Sequence, residues 1–204
     1  MRLTRRTLRS LTGALAALAI ITVWYLGHAE PQATDPVALG QQALDAGKVD
    51  EAIAIFEKAV AADPKNPAAL AWLGSAQVQK ARSAPLLSRP GWIKKGFNTL
   101  DEAVERFPNA FIVYMVRGIT ATQVPDMFRK APVAVKDLSA VVAMREKNPE
   151  GVPDSMMPSV YLHLGIAYKK NGQTAEARAA WEKGKKAYPG APEAQTMEKE
   201  LRSL

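Results

Sequence analysis

Two histidines, 20 carboxylates and no cysteine leave this 204-residue chain few routes to covalent or metal chemistry. Without thiols there is no sulfur nucleophile, no thiolate metal site, no disulfide and no lipid anchor on cysteine. His28 lies in a short stretch of small and polar residues. His163 has Ser159, Val160, Ile166 and Ala167 three and four residues away, so on a helix no second imidazole or carboxylate shares its face. No phosphate-cradling loop, nucleophile–base arrangement or paired-carboxylate motif stands out. These residues point away from an enzyme, and neither a metal nor a cofactor is expected.

What the chain does carry is a repeated spacing. Leu39-Gly40 is followed by Ala52, Phe56, Ala59 and Pro64, and Leu164-Gly165 by Ala177, Trp181, Gly184 and Pro189, with identical offsets. Gly74 follows Gly40 by 34 residues. Helix signals frame these residues. Asp35-Pro36 and Asn66-Pro67 place a capping side chain before a first-turn proline, while Gly47 and Asn171-Gly172 read as stops. The pattern predicts helices over about 36–46, 50–63, 67–81, 158–171 and 174–188, then a mostly polar capping helix over 191–203. No stretch alternates with period two, so no sheet is expected.

A 34-residue unit with this signature resembles the tetratricopeptide repeat, two antiparallel helices (A and B) per unit. The last unit carries the signature at Tyr161, Leu164, Gly165, Tyr168, Ala177, Trp181, Gly184 and Pro189. The first lacks two aromatics, with Pro36 and Ala43 in their places. A second unit runs from Leu73-Gly74 to Gly96, Leu100, Ala103 and Pro108, lengthened by ten residues around Ala84–Gly91. A third runs from Gly118 to Ala134, Leu138 and Pro149, its turn four residues too long and containing Val124–Phe128. An irregular linker, Pro149 to Pro158, precedes the last unit. Over residues 36–203 the resemblance implies an all-α fold. That fold is a right-handed superhelical stack of about four helix–turn–helix repeats with a C-terminal capping helix.

The family uses its A helices to line a concave binding face. Carried over residue by residue, that face takes Trp72, Ser75 and Gln79 from the second unit, and Met115, Ile119, Thr122 and Gln123 from the third. The fourth supplies Leu162, His163, Ile166, Lys169 and Lys170. Such a mixed, rather apolar groove suits a partner helix or extended peptide. The Leu86-Leu87 loop of the chain itself is a competing occupant. Chaperone-binding members clamp a terminal carboxylate with lysine and asparagine, where this chain has Val37, Gln41 and Ser75, so that activity is not implied. Arg117 occupies a position at which the family buries leucine. A buried guanidinium needs a carboxylate, and Asp137 on the paired helix is the candidate for a structural ion pair; alternatively the distorted repeat exposes Arg117.

The amino terminus differs from the rest. Arg2, Arg5, Arg6 and Arg9 precede an uncharged run from Ser10 to Leu26, and no acidic residue comes before Glu30. Residues 1–29 read as a signal anchor or a cleaved signal peptide, and 30–35 as a linker. Leu11–Leu26 would make a helix of about 24 Å against a ~30 Å hydrocarbon core, so a spanning segment needs residues 10–27. Gly27-His28-Ala29 favours cleavage, while Trp24-Tyr25 favours an anchor. The four leading arginines supply +4 of the formal charge of +7, leaving too little for a nucleic-acid partner. Basic residues near the insertions (Arg82, Arg89, Lys94, Lys95, Arg129 and Lys130) could meet lipid headgroups, but Asp101, Glu102 and Asp126 lie close by and favour a solvated face. The expectation is a non-enzymatic scaffold at the periplasmic face of a bacterial inner membrane, serving as assembly factor or accessory subunit of an envelope complex. The alternative is a soluble periplasmic subunit packed permanently in a larger assembly.

Overall fold

A computed structural model describes residues 35–204. The anchor or signal reading of residues 1–29, and with it His28, lies outside the described residues. Nine α-helices are described: α1 Pro36–Asp45, α2 Val49–Ala62, α3 Pro67–Lys80, α4 Arg89–Arg106, α5 Phe111–Thr122, α6 Ala131–Lys147, α7 Met157–Lys170, α8 Thr174–Ala187 and α9 Pro192–Arg202. No strand is present among the described residues. None of these helices is long and apolar enough to cross a membrane.

The helices pack as sequential pairs, α1 with α2, α3 with α4, α5 with α6 and α7 with α8, and α9 closes the stack against α7 and α8. The A helices α1, α3, α5 and α7 also touch in order, so the pairs form one curved layer on another. This is the all-helical repeat stack expected from the spacing, and Pro36–Leu204 form one compact unit. Signature residues make its core: Phe56, Trp181, Leu100, Leu138, Ala52 and Ala177 have no exposed surface. Trp181 also donates its indole N–H to the Leu162 carbonyl at 2.9 Å, which fixes the register of α8 on α7. The capping helix buries Ala194 and Met197 and leaves its other faces to solvent.

The end units close with tight turns. Gly47 and Gly172 adopt φ of +73° and +77°. At the first, the Lys48 and Gly47 N–H groups donate to the Ala43 and Leu44 carbonyls; at the second, Gln173 and Gly172 donate to Tyr168 and Lys169. Both are left-handed glycine caps that satisfy the last carbonyls of the A helix.

The three irregular connections share a construction that the spacing of the signature does not reveal. Each starts with a buried apolar residue before a proline: Ala84-Pro85, Val124-Pro125 and Val152-Pro153. One 3-10 turn follows (Leu86–Ser88, Asp126–Phe128, Asp154–Met156), and the next helix then carries a proline in its first turn. In each, a cation grips the carbonyl just before the first proline: Arg89 Nε to Ala84 at 3.1 Å, Lys170 Nζ to Val124 at 2.9 Å and Arg145 to Val152 at 2.6 Å. The second connection is two residues longer, and there Arg129 takes the left-handed conformation, φ 50° and ψ 43°. For a non-glycine residue that costs roughly 1–2 kcal/mol. The ten-residue insertion is thus not all loop. Pro90 and Gly91 lie inside the first turn of α4, which runs 18 residues where α2 and α8 run 14.

Candidate functional site

The concave face is built by the A helices, and polar pairs between neighbours set their spacing. Thr120 on α5 donates its hydroxyl to Ser75 Oγ on α3 at 3.0 Å, both side chains being buried. Thr122 on α5 lies 2.9 Å from His163 Nδ1 on α7, while donating its own proton to the Ile119 carbonyl at 2.7 Å. A hydroxyl has one proton, so the imidazole must donate through Nδ1, leaving Nε2 as an acceptor. Burial lowers the His163 pKa to about 4, so the ring is neutral at physiological pH.

Of the residues carried over to the groove, Ser75, Met115, Thr122 and Leu162 are buried between helices and offer a partner no surface. They hold A helix to A helix, the positions being set by how tightly neighbouring repeats pack rather than by sequence offset alone. Trp72, Gln79, Ile119, His163 and Ile166 are half-buried, and Gln123, Lys169 and Lys170 are exposed. The two lysines are engaged. Lys169 bonds Glu200 on α9 at 2.9 Å and Ser203 just beyond it at 3.1 Å, and Lys170 lies 3.0 Å from Asp126 besides gripping Val124. They brace the cap and the second insertion rather than standing free at the end of a groove.

An open cleft of about 540 Å³ does lie on this face, toward the amino-terminal end. Its walls are Gln41, Leu44 and Asp45 of α1, Trp72 and Gln79 of α3, and Arg82 and Gln123 just beyond α3 and α5. The α1 residues lie outside the carried-over set, although they stand at the offsets from Gly40 that Ile119, Thr122 and Gln123 hold from Gly118. Leu86 and Leu87 do not fill the cleft: they are 73% and 96% exposed.

Arg117 sits beneath this face, at the junction of α4, α5 and α6. Its Nε and Nη2 reach the two Asp137 oxygens at 2.7 and 2.9 Å, and Nη1 reaches Asp101 at 2.8 Å. Asp137 has no exposed surface. Burial pushes its carboxyl above the ordinary carboxylate range, opposed by the Arg117 hydrogen bonds. Desolvation alone would lower the Arg117 pKa, but its two carboxylates raise it, and the guanidinium stays charged. A bidentate, doubly paired guanidinium of this kind locks three helices together.

The architecture defines an α-helical repeat protein. Family models described as tetratricopeptide repeat match residues 43–84 and 159–191, so repeats of that type are present in both halves of the chain. The chain resembles the crystal structure of TTC0263, a thermophilic TPR protein in Thermus thermophilus, with a TM-score of 0.69 and 18% identity over 97% of each chain. It also resembles MamA from AMB-1, with a TM-score of 0.53 and 23% identity over 76% of this chain and 78% of that one. A further MamA crystal structure gives a TM-score of 0.50 at 21% identity, covering 80% of this chain and 86% of its own. At such identities the likeness is one of fold. No curated protein matches the sequence.

Proposed function

We propose that the chain is a non-enzymatic interaction scaffold that holds a helix or extended peptide of a protein partner along its concave face. The observation that carries this is the 540 Å³ cleft, which is walled by the successive A helices α1 and α3, with Gln123 from the end of the third, and displays the half-buried Trp72. An aromatic anchor beside amide and charged side chains is the usual make-up of an interaction hot spot. Gln41, Gln79 and Gln123 supply donors and acceptors for a peptide backbone, Arg82 and Asp45 supply one charge of each sign, and Leu44 with Trp72 supplies apolar contact. No reacting group is among them.

The reading includes a location. A basic, then apolar amino terminus supports a place at the periplasmic face of a bacterial inner membrane, as assembly factor or accessory subunit of an envelope complex. The test is capture of partners from detergent-solubilised membranes, comparing wild type with Trp72→Ala plus Ile119→Asp. Loss of a specific partner from the variant supports the groove. An unchanged partner set removes it. Protease protection of the full chain in spheroplasts tests the location separately: digestion from outside is expected, and full protection contradicts it.

A further inference from the structure

Among the described residues, three large hydrophobic side chains stand in solvent, and all are on the first two insertions. Leu86 is 73% exposed, Leu87 96% and Met127 82%. Leu86 and Met127 both border an apolar cleft of about 340 Å³, which the buried Val78, Ala81, Ile93 and Val124 also line. This cleft is distinct from the proposed partner groove, although Gln79, Arg82 and Gln123 border both. The loops that carry the tips are held in place by the Arg89 and Lys170 grips on Ala84 and Val124.

Cations surround these tips. Arg82 and Arg89 border the cleft. Lys94 and Lys130 border a neighbouring depression that shares Pro90, Ile93 and Phe128 with it. Arg129 borders a third, which shares Val124 and Pro125. None of these five forms an ion pair among the described residues. The carboxylates that border the two neighbouring depressions are already matched, Asp126 by Lys170 at 3.0 Å and Asp101 by Arg117 at 2.8 Å, while Asp45 shares the partner cleft with Arg82. Arg129, in its left-handed conformation, is exposed. The surface is therefore a set of projecting apolar tips inside a ring of uncompensated positive charge.

We propose that the two insertions dock on an anionic lipid bilayer surface. Apolar tips ringed by lysine and arginine match the order of a membrane interface, where acyl chains lie beneath anionic headgroups and long basic side chains reach between them. The tips enter the acyl region, the cleft between them offers apolar walls to one lipid chain, and the five cations meet phosphate groups. A flat protein interface would call for a continuous apolar patch with depleted charge at its centre. Here isolated side chains project from rigid loops instead. Docking through this edge would leave the cleft walled by α1 and α3 free for a partner, and the inference does not depend on that partner.

The test uses residues 36–204, which contain the three core clusters and form one compact unit. Leaving out the preceding residues prevents their own apolar run from binding lipid. Sedimentation is measured with vesicles of equal phosphatidylglycerol and phosphatidylcholine, and with phosphatidylcholine alone. The expected result is binding to the anionic vesicles that falls with added salt and weakens about tenfold in L86S/L87S/M127S and in R129E/K130E. All five positions lie at the surface or its margin, and circular dichroism checks that the variants keep their helices. The full chain gives a second reading. It has no cysteine, so a fluorophore on Leu87→Cys reports that position alone and should be quenched by lipid-borne quenchers, unlike one on Lys58→Cys. Failure of the wild type to bind either vesicle, equal binding by the variants, or equal quenching at both labels would overturn the proposal, and would leave the tips to a protein surface.

Discussion

The end repeats and the middle repeats solve the same packing problem with different residues. In the first and last units Leu39 and Leu164 precede the signature glycine, and Ile55 and Ala180 hold the matching position on the paired helix, so both positions are apolar. In the third unit Arg117 and Asp137 stand at those positions, with Asp101 added from α4. The end units turn in one left-handed glycine, while the middle units turn through a proline, a 3-10 turn and a second proline. In the second unit the close contact is also altered: Gly74 lies against Gly96 and Leu100, where Gly40 and Gly165 lie against the Phe56 and Trp181 rings. A Cβ built on Gly96 would lie 2.6 Å from the Gly74 carbonyl and 2.7 Å from the Val78 nitrogen. The ends are thus ordinary stacking units held by aromatic and aliphatic burial. The middle adds ions and a close backbone contact to its apolar core, and that is where the chain projects its loops.

Converting the middle to the end pattern tests this contrast most severely. Arg117→Leu leaves Asp137 buried without a partner and is expected to cost about 3–5 kcal/mol in urea unfolding. Adding Asp137→Ala recreates the Leu164–Ala180 pairing of the last unit and should recover most of the loss. A double variant as unstable as the single would show that the ion network does more than replace an apolar contact. In the last unit, Trp181→Ala removes the largest fully buried side chain and should cost a similar ~3–5 kcal/mol. A loss below about 1 kcal/mol would deny that the aromatic holds the end units together.

His163 gives the next effect. Its folded pKa of about 4 lies below the ordinary value of 6.5, so the unfolded chain takes up the proton first. Its contribution is complete above about pH 6.5 and is lost as the pH falls toward 4, on the order of 3 kcal/mol in all. His163→Asn should flatten that part of the stability–pH curve, and an unchanged slope would place the acid sensitivity elsewhere. Gly96→Ala comes next, at roughly 1–3 kcal/mol, because the new methyl meets helix backbone, the Gly74 carbonyl and the Val78 nitrogen, as well as the Val78 side chain. The smallest effect belongs to the loop tips: L86S/L87S/M127S should change stability by less than about 0.5 kcal/mol. A larger change would mean the tips pack rather than project.

Much of this contrast can be read before any coordinates. Gly40, Phe56, Gly165 and Trp181 recur in one frame because the contact of paired helices demands them, and Arg117 is conspicuous where leucine belongs. Asp101 is not, because it reaches Arg117 from α4, whose register depends on how the ten extra residues divide between loop and helix. Pro85 with Pro90, and Pro153 with Pro158, share a five-residue spacing that marks the 3-10 connections. The third pair, Pro125 and Pro132, is spread by Arg129 and Lys130 and hides the pattern. The groove is the least legible part. Ser75, Met115, Thr122 and Leu162 share outward offsets with Trp72 and Gln79, and only the closeness of neighbouring A helices decides which of them is covered. Gln41, Leu44 and Asp45 are legible by offset, standing one, four and five residues after Gly40 as Ile119, Thr122 and Gln123 stand after Gly118, although they lie outside the carried-over set.

Photo-crosslinking tests the scaffold reading most directly. A photoreactive amino acid is placed at Trp72, at Gln79 or, as a control, at Lys58 on the exposed face of α2, and the chain is illuminated in native membranes. Adducts to one partner from positions 72 and 79, absent from position 58, are what a concave binding face predicts. Equal adducts from all three, or adducts from position 58 alone, would contradict it.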